Sequence, residues 1–113
     1  MSITTERLGS LIQRELAPIV NNVIKNDKIG YINLTEVRVT KDLKVAKVYY
    51  TILSDDEDVL ELALNHLKKF NGTIRMELAK KIRNVRKIPE LDFVYDEALA
   101  YGNHIDKLLK EIK

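Results

Sequence analysis

Between residues 68 and 87 the chain carries Lys68, Lys69, Arg75, Lys80, Lys81, Arg83, Arg86 and Lys87 against one carboxylate, Glu77. A run of cations almost free of acid can line a groove for nucleic-acid phosphates, because each neutralised phosphate releases condensed counterions. The other use of such a run is a solvated helix face, which ordinarily interleaves acids with its bases. Arg75 is the strongest single candidate for a phosphate contact: it is expected to project from the start of a helix whose free N–H groups already favour anions. Asn71 and Gly72, one turn earlier, can shape that surface or simply end a helix. Lys41 and Lys47 flank a short turn and are secondary candidates, with protection of an edge strand the expected role of Lys47.

Other chemistry finds less support. Glu90, Asp92 and Asp96 could serve acid–base work or hold magnesium, but no His, Lys or Ser stands beside them as a partner, and solvent-facing alternation along a strand explains them more simply. His66 and His104 lack a metal-ligating residue three or four positions away. The chain contains no cysteine, which removes disulfides and thiolate metal sites. It also lacks a phosphate-binding loop, a nucleophile elbow and an HExxH motif. No catalytic residue, metal or cofactor is expected. Of the aromatic residues, Tyr50, Phe93 and Tyr95 fall on expected core faces, whereas Tyr31, Tyr49 and Tyr101 could be exposed.

The elements that must position the cations can be read from apolar spacing. Thr4 or Thr5 caps a first helix whose Leu8, Leu11, Ile12, Leu16, Ile19, Val20, Val23 and Ile24 form one stripe, with Pro18 expected to kink it. Residues 31–40 read as a strand in which Ile32 and Leu34 hold one parity and Val37 and Val39 the other. That change predicts a bulge near Thr35–Glu36. After Lys41-Asp42-Leu43, residues 44–53 form a second strand and should close an antiparallel hairpin. Ser54 or Asp55 caps the next helix, which begins acidic and is broken at Asn71-Gly72 before a further helix through Ile74, Leu78 and Ile82. Leu91, Phe93 and Tyr95 alternate in a third strand, and 97–113 reads as a last helix.

A chain of 113 residues, 45% hydrophobic and 32% charged, suits one soluble domain over 1–113. Charges among the first residues exclude a signal peptide, and no stretch approaches the roughly 20 apolar residues of a membrane helix. A cytoplasmic monomer without membrane or small-molecule partners is the expectation. The net charge is only +2, but it is segregated: Asp55, Asp56, Glu57, Asp58 and Glu61 crowd one short stretch, and the residues after 88 are again acidic.

The order of elements is that of KH domains of the second type, which grip single-stranded nucleic acid through a GxxG loop. No GxxG occurs here. The chain instead resembles the ribosome-binding factor A family, in Lys41-Asp42-Leu43 followed by Ala46-Lys47-Val48-Tyr49, in Gly72-Thr73-Ile74-Arg75, in the basic run Arg83 to Lys87, and in Pro89-Glu90-Leu91-Asp92-Phe93-Val94-Tyr95-Asp96. The match spans nearly the whole chain in order; Phe70 stands where the family's helix-kink-helix usually has Ala. The resemblance implies an α+β, KH-like domain with helices on one face of a three-stranded sheet. It further implies a non-catalytic assembly factor for the small (30S) ribosomal subunit, with 16S rRNA and ribosomal proteins as partners and a part in late 16S rRNA processing and cold adaptation. The candidate RNA-binding residues are Lys68, Lys69, Asn71, Gly72, Arg75, Lys80, Lys81, Arg83, Arg86 and Lys87. A charge-segregated protein-interaction module that does not bind RNA is the alternative.

Overall fold

The first helix, α1 (Thr5–Val23), starts where Thr4 accepts a hydrogen bond from the Arg7 N–H at 3.2 Å. It buries Leu8, Gly9, Ile12, Leu16, Ile19 and Val20 as one stripe. Pro18 lies on its exposed side, and the helix runs on through it to Val23. The exit turn closes at Gly30, whose φ of 68° a side chain would make costly. The structure, a computed structural model, describes residues 4–82 and 87–99.

Strands β1 (Ile32–Val39) and β2 (Val45–Ile52) pair antiparallel, with the register shifting between Leu34 and Glu36. The extra residue, Thr35, lets Ile32, Leu34 and Val37 all face the core despite their change of parity. Two helices, α2 (Glu57–Lys69) and α3 (Asn71–Lys81), carry the chain back to β3 (Glu90–Tyr95). A crossover of that length is what parallel pairing needs, and β3 runs parallel to β2, from Val45 opposite Glu90 to Tyr50 opposite Tyr95. The order is β1-β2-β3. Lys47 is therefore on the central strand, opposite Arg38 on one side and Asp92 on the other. Its expected role as an edge guard does not apply, because β3 takes the place that would have been solvent.

Core side chains from α1, α2, α3 and one sheet face form a single buried cluster that includes Tyr50, which is 1% exposed. Burial pushes the Tyr50 phenol up to about 12, and its ring meets that of Tyr95 edge-on at 5.8 Å. The outer edge of β1 is closed by α1. Asn21 donates to the Ile32 carbonyl (2.9 Å) and accepts from its N–H (2.8 Å), while Gln13 donates to the Leu34 carbonyl (3.1 Å). Such close approach depends on Gly9, where a Cβ would lie 2.7 Å from the Val37 oxygen.

Two boundaries differ from the expected ones. The cap of α2 is Asp56, which accepts from the Asp58 N–H at 2.9 Å; Ser54 instead accepts from the Asp56 N–H in the turn before it. The joint between α2 and α3 is Phe70 (φ −98°, ψ 10°) rather than Asn71-Gly72. Phe70 donates its N–H to the His66 carbonyl and accepts from the Ile74 N–H, ending one helix and starting the next. Residues 97–99 are helical, with the Leu99 N–H bonded to Asp96 at 3.0 Å. The rest of the expected last helix lies outside the described residues.

Candidate nucleic-acid interface

Helix α3 packs by Ile74 and Leu78, both fully buried. At about 100° per residue, Gly72, Thr73, Met76, Ala79 and Lys80 then fall within about 60° of a line through Met76 on the opposite side. All five are exposed. That outer face contains no acid: Glu77 sits on its flank, 3.1 Å from the Lys80 ammonium, an exposed pair of the sort that contributes little. Met76 and Thr73 were not singled out from the sequence, although their phase against Ile74 and Leu78 would have placed them on this face.

Exposed lysines stand at both ends of α3, with Lys80 on the outer face and Lys81 about 140° around the helix from Met76. Lys68 and Lys69 close α2, both exposed, with the Lys69 ammonium 5.5 Å from the centre of the Phe70 ring. Lys80 and Lys81 close α3, and Lys87 is exposed just before β3. Each lysine pair also favours the negative end of its helix dipole, which stabilises the helices without using up the charge presented to solvent. Gly72 has open space where a side chain would begin, so another molecule's backbone can come close at the start of α3.

Asn71 and Arg75 are instead tied into the fold. Asn71 is half-buried and donates to the Leu91 carbonyl at 2.9 Å, fastening α3 to β3. Arg75 is also half-buried: its Nη2 donates to the Ile88 carbonyl at 2.6 Å, and its Nε is buried with no hydrogen-bond partner among the described residues. It lies about 100° from Met76 around the helix, on the flank facing the segment that enters β3. The outward projection expected of Arg75 is therefore replaced by an inward one. Arg83 and Arg86 lie outside the described residues.

The carboxylates considered for chemistry separate. Glu90 and Asp92 are exposed on the sheet face away from the core. Asp96 accepts from the Thr35 hydroxyl at 2.6 Å and from the Leu99 N–H, and the Thr35 bond is the main reason its carboxyl is held below the ordinary range. It links the β1 bulge to the end of β3, a connection across 61 residues that nothing in the sequence signals. Among the described residues no group of three or more His, Cys, Asp or Glu could hold a metal ion. The His66 ring nitrogen Nδ1 lies 2.9 Å from the Leu62 carbonyl. Tyr31 is exposed, and Tyr49 is half-buried with the Arg38 guanidinium 5.8 Å from its ring centre; Tyr101 and His104 lie outside the described residues.

A family model described as ribosome-binding factor A matches residues 4–109. The chain belongs to that family. It is 58% identical to ribosome-binding factor A of Phytoplasma mali over 99% of this chain and 98% of that one. The Staphylococcus carnosus factor is 41% identical over 95% and 91%. Among solved structures, a crystal structure of ribosome-binding factor A from Thermus thermophilus covers 82% of this chain and 97% of its own, at 24% identity and a TM-score of 0.70. A homology model of the Thermus thermophilus factor, as fitted into the cryo-EM map of a 30S–ribosome-binding factor A complex, covers 82% and 96%, at 25% identity and a TM-score of 0.71. The fold shared with them is the KH-like α+β arrangement. Here α2 and α3 follow one another through the single residue Phe70, with no GxxG between them. No helix among the described residues is long and apolar enough to cross a membrane.

Proposed function

We propose that this chain binds the small ribosomal subunit during its assembly. The outer face of α3 and its flanking lysines would rest on 16S rRNA. The observation that carries this reading is the acid-free face of α3, framed by exposed Lys68, Lys69, Lys80, Lys81 and Lys87, in a chain whose family is named for ribosome binding. A homology model of the same factor from Thermus thermophilus has been fitted into the cryo-EM map of a complex with the 30S subunit. In this reading Gly72 allows the RNA backbone to approach, while Asn71 and Arg75 hold the face in place and the lysines make the contacts. Arg83 and Arg86 extend the cationic run toward Lys87. Contacts made mainly to phosphates position a protein on folded RNA and carry little base information. The factor would act without catalysis or a cofactor, in the cytoplasm, favouring late 16S rRNA processing and mattering most in the cold.

Filter binding to protein-free 16S rRNA across a salt series tests the interface. The variant Lys69→Gln/Lys80→Gln/Lys81→Gln should bind more weakly, and the slope of log K against log salt should fall by about 2–3, since each lost phosphate contact removes roughly 0.7–0.9. An unchanged slope in a folded variant would move the interface off α3.

A further inference from the structure

Three of the four large hydrophobic side chains exposed among the described residues belong to segments that leave the sheet at one end. Tyr31 is 57% exposed, Leu53 91% and Leu99 39%. Ile32 and Ile52 are the last paired residues of β1 and β2 and point into the core. Tyr31 and Leu53 each stand one position beyond the strands, and both are exposed where Ile32 and Ile52 are buried. Because β3 runs parallel to β2, Glu97–Leu99 leave the sheet at this same end, and Asp96 ties that segment to Thr35 of β1. A lone exposed leucine needs no explanation, but exposed Tyr31, Leu53 and Leu99 at one end of the sheet make that end a candidate interaction surface.

The charges around the patch select what fits it. Asp55, Asp56, Glu57 and Asp58 follow Leu53 after a single residue, Ser54, and are all exposed, as is Glu97. Burial first, then Asp55 and Glu97, raise the Tyr95 phenol, and Tyr95 stands opposite buried Tyr50 at this same end of the sheet. Lys25 and Lys28 in the turn before Tyr31 are the nearby bases in sequence, with Asp27 between them. This rim repels phosphate, and it would repel its own copy in a self-associated pair. Helix α2 separates the acids from Lys68 and Lys69 by about 18 Å, at 1.5 Å per residue.

We infer that the Tyr31–Leu53 end of the sheet docks a lysine- and arginine-rich protein segment with an apolar anchor, while RNA is held at the opposite end of α2. The inference builds on the proposed binding to the small subunit, whose particle would carry both ligands. A bipolar factor of this kind reads a protein and an RNA element together, so it favours particles in which the two are correctly placed.

The test compares full-length variants on intact immature small subunits and on protein-free 16S rRNA. Tyr31→Ser/Leu53→Ser should keep its melting temperature and its affinity for protein-free rRNA, yet bind intact subunits about tenfold more weakly, as expected for truncated anchors. Leu53→Lys distinguishes the partner by sign: it should weaken binding to intact subunits if the patch meets a basic protein, and strengthen it if the patch meets phosphates. A photo-crosslinking residue at position 53 should give a protein adduct that maps to a basic segment. Unchanged affinity of the double serine variant for intact subunits, equal loss on both ligands, tighter binding by Leu53→Lys, or an rRNA adduct would each overturn the inference. The lysine variants of α3 read the RNA interface on protein-free rRNA alone, so the two proposals can fail separately.

Discussion

Arg75→Met asks whether the arginine at the centre of the basic run touches RNA or holds the surface that does. Methionine keeps most of the unbranched stem and deletes the guanidinium. The bond lost is the 2.6 Å contact from Nη2 to the Ile88 carbonyl, and hydrogen bonds to charged groups contribute about 1.5–3 kcal/mol. Ile88 is 9% exposed and Pro89 is buried beside it, so water reaches the freed carbonyl poorly. The unpartnered Nε works in the other direction, because removing a buried donor without an acceptor relieves part of its desolvation cost. The expected net destabilisation is about 1–2 kcal/mol, toward the lower part of the bond's range. Urea unfolding should show it as a lower midpoint with an unchanged m-value. Arg75→Lys should recover part of the loss, since its ammonium can donate to the same carbonyl with poorer geometry. In salt-dependent rRNA binding, the Arg75→Met slope should match the wild-type slope. A slope lower by about 1 with no loss of stability would identify Arg75 as a phosphate contact and refute this reasoning.

Gly9→Ala should destabilise by up to about 2 kcal/mol in urea unfolding: helix propensity gains about 1 kcal/mol, but overpacking against backbone costs about 1–3, and the new Cβ would lie 2.7 Å from the Val37 oxygen. Asn21→Leu strips both side-chain bonds to Ile32, and urea unfolding should show a loss of about 2–4 kcal/mol, with β1 less protected in hydrogen exchange. The Thr35 hydroxyl, then the Leu99 N–H, hold Asp96 below the ordinary carboxylate value. Its contribution is therefore complete above that ordinary value, about 4, and is lost as pH falls through the lower folded value. Asp96→Asn should flatten part of the acid-side decline in stability while changing little in its pH dependence near neutrality, as measured by urea midpoints across pH.

Most elements could be read from local signals, because period and parity are written within a few residues. The bulge at Thr35 follows from the parity change between Leu34 and Val37, and the hairpin from the short Lys41–Lys44 turn. What could not be read depends on partners distant in the chain. Asn71 looks like a turn residue beside Gly72, yet its amide is drawn to the Leu91 carbonyl 20 residues later, and the break passes to Phe70. Arg75 looks outward until the segment entering β3 brings the Ile88 carbonyl beside it. Lys47 looks like an edge residue because strand order is set by the crossover, which no local pattern encodes. That Tyr31 and Leu53 stand at the same end of the sheet, each one residue beyond the Ile32–Ile52 pair, likewise follows only once the register is known.

The central claim is tested most directly by co-sedimentation of wild-type protein and a Lys69→Glu/Lys80→Glu/Lys81→Glu variant with immature and mature small subunits, with circular dichroism confirming that the variant folds. The account predicts that wild type prefers immature particles and that the folded variant leaves both in the supernatant. Undiminished binding by the folded variant would contradict the α3 interface, and absence of wild-type binding to either particle would contradict the ribosomal reading.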